Sequence, residues 1–570
     1  MALQPVLING EWRQSKSDGS FQAVNPTEKQ TMPQEFPVSS LEEVEEALQA
    51  GYEAVAALRS TPVGKVADFL EHYASNIEAR TDELVEIAFQ ETALPREPRL
   101  RSAELPRTTN QLRQAAAAVR ERSWCLATID TGVNIRSRYG PLNGPVAVFG
   151  PNNFPYAFNS AAGGDFVAAI AAGNPVIAKA NTSHPETTRS FAEAALEAVQ
   201  AVGLPRAMVQ LIYRLKPDVG LKRVSHPLIG ATGFTGSRWA GLQLKAAADQ
   251  GGKPIYLEMS SSNPVYVLPG AIEERGDAIA QEFFASCTMG AGQFCTNPGL
   301  TVVLAGAASE KFLAKAATLF GSSRPGTLLS KRAPQDLADA VAVLKKNGAE
   351  VVVGGEIAEG PGYAFQNTIL RVSGDRFIEN SRALQTEAFG AVTLMVFARD
   401  VEQMKAVTRN FEGNLTGCIY SDTAGSDDTI YAQIEPELRP KVGRLLNDKM
   451  PTGVAVTPAM NHGGPYPATG HPGFTAVGIP ASTIETCRAR PDRPSTSTSA
   501  KAIKGATPRR VTVANAMGPR RPFTGVRESC NPRISSIHGT AACPKRLTTR
   551  DTGTGSSAPV ALTTNPNAVA

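Results

Sequence analysis

The sequence predicts an α/β protein built on doubly wound parallel sheets. Short runs that are apolar throughout, such as "VAVFG" (146–150), "PVIAK" (175–179) and "PIYLE" (254–258), alternate with helical segments. Strands apolar on both faces belong to parallel sheets covered by helices on either side. At 570 residues the chain also exceeds one compact core, so more than one such sheet is expected.

The elements follow in order. "SSLEEVEEALQAGYEAVAAL" opens with a capping box pairing Ser40 with Glu43 and carries apolar residues at helical spacing, so a helix begins there. After the strand at 146–150 come the helical "GGDFVAAIAAG", the strand at 175–179 and the helix "HPETTRSFAEAALEAVQAVG". Strands are then expected at "MVQLI" (208–212) and "PLIGAT" (227–232), followed by a turn "GFTGS" (233–237), a helix and the strand 254–258. This alternation reads as a doubly wound nucleotide-binding domain. A second α/β unit starts near residue 260 with "NPVYVL", a helix through "AIAQEFFASC", a glycine-rich loop "GAGQFCTNPG" (290–299) and the strand "LTVVLA". Two lobes enclose a cleft, and clefts hold active sites.

Composition removes several classes. The most apolar stretch, from Phe166, is broken by Gly-Asn-Pro and ends in a lysine, too short for a membrane span. The N-terminus lacks the basic start and apolar run of a secretory signal, so a cytoplasmic home is expected. Seven cysteines, at 125, 287, 295, 418, 487, 530 and 543, form no C-x-x-C pair and are expected as reduced thiols. Six histidines without zinc spacing predict no metal. Residues 482–570 carry fourteen Lys/Arg against four Asp/Glu, a net +10 that leaves −6 on the rest of a chain of net charge +4. That segment holds one aromatic residue, Phe523, and two leucines. It is expected to be disordered, or to reflect GC-rich coding DNA translated in a shifted frame. No nucleic-acid-binding motif accompanies its charge, so neither nucleic acid nor membrane is an expected partner.

Three positions offer chemistry. Cys295 sits in a loop with almost nothing to pack, where a thiolate can be stabilised by backbone N–H groups and attack an electrophile. Cys287, on an apolar helix eight residues upstream, reads as inert packing. Glu258 ends an apolar strand, the position of a general base or of a plain surface strand end. In "FGPNNFPYAF", Asn152 and Asn153 follow a strand between stiffening prolines, where an amide stabilises an oxyanion or caps a turn.

Six segments, "PNNFP", "AKANTSHP", "GFTGSRWAG", "LEMSSSNP", "GAGQFCTNPG" and "TEAFGAV", occur in this order between residues 151 and 392. With them the sequence resembles the aldehyde dehydrogenase superfamily. The resemblance covers roughly the first 480 residues, including the "INGEW" hairpin signal and "HGGPYPAT" near 462. It is similar to the branch that oxidises 2,5-dioxopentanoate (α-ketoglutaric semialdehyde), with fatty-aldehyde enzymes nearby. The implied organisation is a cofactor-binding domain at 1–256, a catalytic domain at 257–455, a return segment of the cofactor-binding and oligomerisation region at 456–481, and the tail at 482–570.

The resemblance implies that Cys295 adds to the aldehyde, that the Asn153 amide and the Cys295 N–H hold the oxyanion, and that Glu258 activates the water that hydrolyses the thioester. NADP or NAD accepts the hydride. Gly236 and Ser237 would approach the pyrophosphate and Gly241 would permit close packing, replacing the absent G-x-G-x-x-G. Lys179 matches the lysine that reaches the adenosine ribose, Glu387 the carboxylate on the nicotinamide ribose and Phe389 the ring beside it. Read without the family, Lys179 is a solvated strand end and Phe389 is core. Many NAD-preferring members carry a glutamate three residues after that lysine. Thr182 stands there in this chain, so NADP is expected to be accepted. Arg107, in "LPRTTNQLRQAA", is a candidate partner for a substrate carboxylate or a surface arginine, and Phe294 and Thr296 flank the nucleophile and shape the pocket. The small-molecule aldehyde is the expected partner. A homo-oligomer is expected too, weakened because the resemblance fades after about Ser482, before the family's subunit-pairing strand. A cysteine hydrolase or acyltransferase using His226 or His462, a medium- or long-chain aldehyde dehydrogenase and an inactive nucleotide-binding homologue remain alternatives.

Overall fold

The apolar runs between residues 146 and 258 form the parallel core of a seven-stranded sheet in the computed structural model, which describes residues 3–471, 473, 475–477 and 487–491. The strand order is Ile255–Glu258, Ala231–Thr235, Val146–Phe149, Val176–Lys179, Val209–Ile212, Val6–Ile8, Glu11–Arg13. The first five are parallel, and the expected N-terminal hairpin adds two antiparallel strands at one edge. Chain order reverses between Val146–Phe149 and Ala231–Thr235. In an open parallel sheet this switch point opens a crevice at the carboxyl ends of the strands, where ligands bind.

Helices cover both faces because their apolar residues fall on one stripe. Leu41–Ser60 buries Val44, Ala47, Leu48, Gly51, Ala54, Val55 and Leu58, the three-and-four spacing of a single face. Its cap is half of the box read from sequence. Ser40 Oγ accepts from Glu43 N, but the Glu43 carboxylate turns away to Ser15 Oγ and Lys16 N. One boundary differs from expectation: the strand runs Ala231–Thr235, not 227–232, so Gly233 to Thr235 are strand and not turn. Residues 226–229 turn through Ile229 N to His226 O, and Gly230 N bonds Pro145 O. A side chain on Gly230 would lie 2.4 Å from Gly144 O, so the backbones pack too closely for pairing to begin earlier.

A second seven-stranded sheet has the order Glu350–Val353, Thr368–Ser373, Val392–Ala398, Leu300–Leu304, Pro264–Val267, Asn414–Tyr420, Val442–Asn447, parallel except for its first strand. All described residues fall in one compact unit. Loops at the carboxyl ends of the first sheet meet loops at the amino ends of the second: Asn153 Nδ2 donates to Gln293 O, and Arg238 pairs with Glu412. The segment around residues 461–470 crosses between them, with Met259 N bonded to Ala468 O and Gly470 N to Leu257 O. Among the described residues, no helix is long and apolar enough to cross a membrane. Within the basic tail, residues Cys487–Pro491 form a strand antiparallel to Ile135–Pro141 of the same chain. The remainder of the tail, with Cys530 and Cys543, lies outside the described residues, as does the expectation of disorder there.

The crossing segment needs Gly443. A Cβ there would lie 1.8 Å from Gly463 O, a backbone atom that cannot step aside. Gly443→Ala should therefore destabilise the protein by about 2 kcal/mol or more and lower its thermal midpoint. Gly64→Ala, at an exposed position in the first turn of the helix Val63–Ala79 with nothing within 4 Å of the new carbon, should be neutral or stabilising by up to about 1 kcal/mol. Differential scanning fluorimetry of the two variants checks the contrast.

Candidate active site

The loop after the helix Pro269–Thr288 is held in an unusual backbone shape. Gly290, Ala291 and Gly292 have φ of 56°, 57° and 74°, three successive left-handed residues. At Gly292 a Cβ would lie 2.2 Å from Gly390 C and Ala391 N, so only glycine fits. The following residues are braced by a buried amide: Asn263 Nδ2 donates to Cys295 O at 2.8 Å and to Asn297 O at 2.9 Å. Asn263 Oδ1 in turn accepts from Ser261 Oγ and Thr416 Oγ1. Cys287 is fully buried with its thiol toward Pro298 O, inert as expected.

Cys295 Sγ lies 3.5 Å from His462 Nε2, which lies 3.2 Å from Glu258 Oε1. His462 and Glu258 are fully buried, and Glu258 Oε2 and His462 Nδ1 have no protein partner. Burial pushes the Cys295 thiol well above its ordinary range, the Glu258 carboxylate pushes it further, and the Arg107 guanidinium pulls it back. Of the two histidines the sequence offered, His226 lies elsewhere, at the end of the helix Pro217–Ser225 with Nδ1 accepting from Leu228 N. Among the described residues, Glu258, Cys295 and His462 are the one group whose ligand atoms come close enough, within 4.8 Å, to hold a metal. No Cys/His spacing motif announced this grouping.

Asn153 is buried with its amide on Gln293 O, at the entrance to the nucleophile loop. Its own carbonyl accepts from Arg99 Nη2 at 2.9 Å. Arg99 forms an ion pair with the fully buried Glu104 at 2.6 Å, and Glu104 accepts from Tyr156 N and Ala157 N. This pair fixes the "PNNFP" loop from beneath. Neither residue stood out in "REPRLRSAE", which reads as a solvated charged segment.

Phe294 packs edge-on against Phe154 at 5.1 Å, within a buried cluster that includes Ala157 and Phe158. Arg107 lies over Phe154 and Phe158, with buried Nε and Nη2 atoms that meet no acceptor. The surface-arginine alternative is therefore corrected: the helix Leu105–Glu121 turns this face inward, with Gln111 bonded to Ala157 O and Ala162 O and Gln114 to Val456 O. Thr296 is buried with its hydroxyl unpartnered. A second such arginine went unnoticed in sequence: Arg444, in the strand Val442–Asn447, has Nε and Nη2 buried without acceptors and lies within the fields of Cys295 and Glu258.

On the first sheet, Gly236 N bonds Glu258 O, and Ser237 caps the helix Arg238–Gln250 through Ala240 N. A Cβ on Gly241 would lie 3.0 Å from Met259 Sδ, so glycine permits the close helix packing expected. Lys179 ends the strand Val176–Lys179 half-buried, its amine lowered to about 8 by burial and by Arg223 and Arg214. Thr182 follows in the adjoining loop, half-buried. Glu387 accepts from Ser261 N, and burial raises its carboxyl to about 7. Glu387, Phe389, Ser261, Ser262 and Phe294 line one recess. A helix N-terminus free of acids at the switch point and Lys179 at the end of a neighbouring strand fit the pyrophosphate of a dinucleotide.

Comparison with known proteins agrees with this arrangement. The chain is 37% identical over 84% of its length to alpha-ketoglutaric semialdehyde dehydrogenase 2 of Azospirillum brasilense, covering 93% of that protein. It is 36% identical over 83% of its length to alpha-ketoglutaric semialdehyde dehydrogenase of Acinetobacter baylyi, covering 91% of it. The fold superposes on lactaldehyde dehydrogenase of Escherichia coli with a TM-score of 0.74 at 20% identity, over 86% of this chain and 99% of that one. The model of the aldehyde dehydrogenase family matches residues 12–438, and the chain belongs to that family.

Proposed function

We propose that this NAD(P)-dependent aldehyde dehydrogenase oxidises 2,5-dioxopentanoate to 2-oxoglutarate through a cysteine thioester. The observation that carries the chemistry is the contact of Cys295 Sγ with His462 and Glu258, beside the switch point of a dinucleotide-type sheet. The substrate assignment rests on the unpaired Arg107 in the pocket and on the two semialdehyde dehydrogenases at 36–37% identity. In this reading residues 1–256 hold the cofactor, 257–455 carry the nucleophile and 456–481 return to the cofactor-binding and oligomerisation region.

Because burial and Glu258 favour the protonated thiol, attack needs a base, and His462 Nε2 lies 3.5 Å from the sulfur. As the sulfur bonds the carbonyl carbon, negative charge moves to the aldehyde oxygen. The second Asn153 amide hydrogen and the Cys295 N–H stabilise it. The nicotinamide, when bound, accepts the hydride. Lys179, Gly236, Ser237 and Glu387 would hold the dinucleotide, and Phe389 would flank its nicotinamide end. Glu258, with one carboxylate oxygen unpaired, takes the proton of the water that opens the thioester, and His462 is poised to relay it. The same trio supports the cysteine-hydrolase alternative. Hydrolysis of an activated ester with no aldehyde-dependent cofactor reduction would favour that reading.

Three outcomes follow. Cys295→Ser should lower kcat/KM by at least about 10³-fold, and Glu258→Gln should slow steady-state turnover while a pre-steady-state burst of reduced cofactor remains, read by stopped-flow absorbance. In the cofactor-free enzyme, iodoacetamide alkylation of Cys295 should have its pH midpoint above the ordinary thiol value. Removing the Glu258 charge (E258Q) should move that midpoint down, and removing the Arg107 charge (R107M) should move it up. The third concerns NADP, which Thr182 leaves unopposed. Lys179 is charged below about pH 8, while a 2′-phosphate is doubly charged above about pH 6. The ratio of kcat/KM for NADP to that for NAD should peak between these values and fall as pH rises through 8, and Lys179→Met should flatten it.

A further inference from the structure

A buried guanidinium with no acceptor is costly, because water is removed from the donors and nothing replaces it. Arg99 shows the usual solution, an ion pair with Glu104 and a bond to a carbonyl. Arg444 has neither. It sits third in the strand Val442–Asn447, in register with Thr416, and its Nε and Nη2 atoms are buried without acceptors. Thr416, its neighbour in register, donates to Asn263, whose amide holds the Cys295 carbonyl, so the strand borders the Cys295 loop, and the half-buried guanidinium lies within the fields of Cys295 and Glu258. Gly443 beside it lets the 461–464 segment press onto the strand, with Asn461 Nδ2 on Gly443 O. This brings His462 and Arg444 into one wall. Arg107 presents a second unpaired guanidinium from the other lobe's helix.

We propose that Arg444 is a specificity-determining residue that anchors the anionic end of the substrate, so that the site takes short aldehydes carrying a terminal carboxylate and not neutral aldehydes of the same length. This rests on the substrate class proposed above and adds the catalytic lobe's own contribution to it. The aldehyde carbon of 2,5-dioxopentanoate lies four C–C bonds from its carboxylate carbon, about 5 Å when extended. An aldehyde bonded to Cys295 therefore carries its charge one short chain away from the sulfur. A guanidinium fits this task because it stays charged and offers a planar fork to a carboxylate.

The test compares kcat/KM for 2,5-dioxopentanoate and pentanal in the full-length enzyme with saturating NADP. Arg444→Met should cost on the order of 100-fold with the acid, mostly in KM, and less than about threefold with pentanal. Arg444→Lys should recover part of the loss. A second readout needs no turnover: the ratio of Cys295 alkylation rates by iodoacetate and by iodoacetamide should fall about tenfold in Arg444→Met at constant pH. Equal losses with both aldehydes, together with an unchanged alkylation ratio, would overturn the proposal and make Arg444 a residue that positions Glu258. If the unaltered enzyme itself prefers pentanal, the substrate reading fails, and the alkylation ratio still decides whether Arg444 reads anions.

Discussion

The structure depends on one approach: the carboxyl edge of one parallel sheet against the amino edge of another, bringing Cys295, His462 and Glu258 within hydrogen-bonding reach. Each of the three comes from a different element. Glu258 ends the outermost strand of the first sheet, Cys295 precedes a central strand of the second, and His462 rides the segment between them. No one lobe contains the site. Whatever holds the two edges together also sets the sulfur-to-base distance, which is why glycines at 443 and 464 press backbone directly onto backbone. A side chain at either position would open the gap by more than a hydrogen bond tolerates.

Electrostatics inside this junction pull in opposite directions. Two carboxylates, the buried Glu258 and the half-buried Glu387, oppose ionisation of the Cys295 thiol, and Glu387 is itself raised to about 7, chiefly by loss of solvation. Against them stand Arg107 and Arg444, both unpaired. Burial and the Glu258 carboxylate both raise the Cys295 thiol, so the resting site favours its neutral form.

Much of the fold was legible because parallel strands are apolar on both faces and need no partner to be recognised: 146–149, 176–179, 209–212 and 255–258 were read almost to the residue. The strand at 231–235 was misplaced because Gly233 looks like a turn. It is glycine because Asp165 approaches it, with 2.7 Å between Asp165 Oδ2 and a Cβ placed there. Within the site, Cys295, Glu258 and Asn153 were visible from local setting and motif order. The residues that position them were not. Arg99 and Glu104 resemble surface charge until they are seen to grip Asn153 and the backbone after Phe154, Asn263 resembles a turn residue until its amide is seen on Cys295 O, and Arg444 lies in an ordinary strand. Each acts on a partner 30 to more than 150 residues away, and no local pattern encodes such a pairing.

The backbone around Cys295 is held by polar contacts as well as by the burial of its neighbours. Three left-handed residues in succession, one of them alanine, store strain that a flexible loop would release by relaxing. Relaxation is blocked on two sides. Gly292 is pinned against the 390–391 backbone, and Asn263, itself left-handed at φ 48°, clamps the carbonyls of Cys295 and Asn297. Asn263 is satisfied in turn by Ser261 and Thr416, and Asn414 Oδ1 receives the backbone N–H groups of Ser262 and Asn263. This network around Asn263 holds the loop through donors and acceptors that are met in one geometry. The sulfur can therefore be small-neighboured and open on the side of cofactor and aldehyde, yet fixed to within the tolerance that attack on a carbonyl demands.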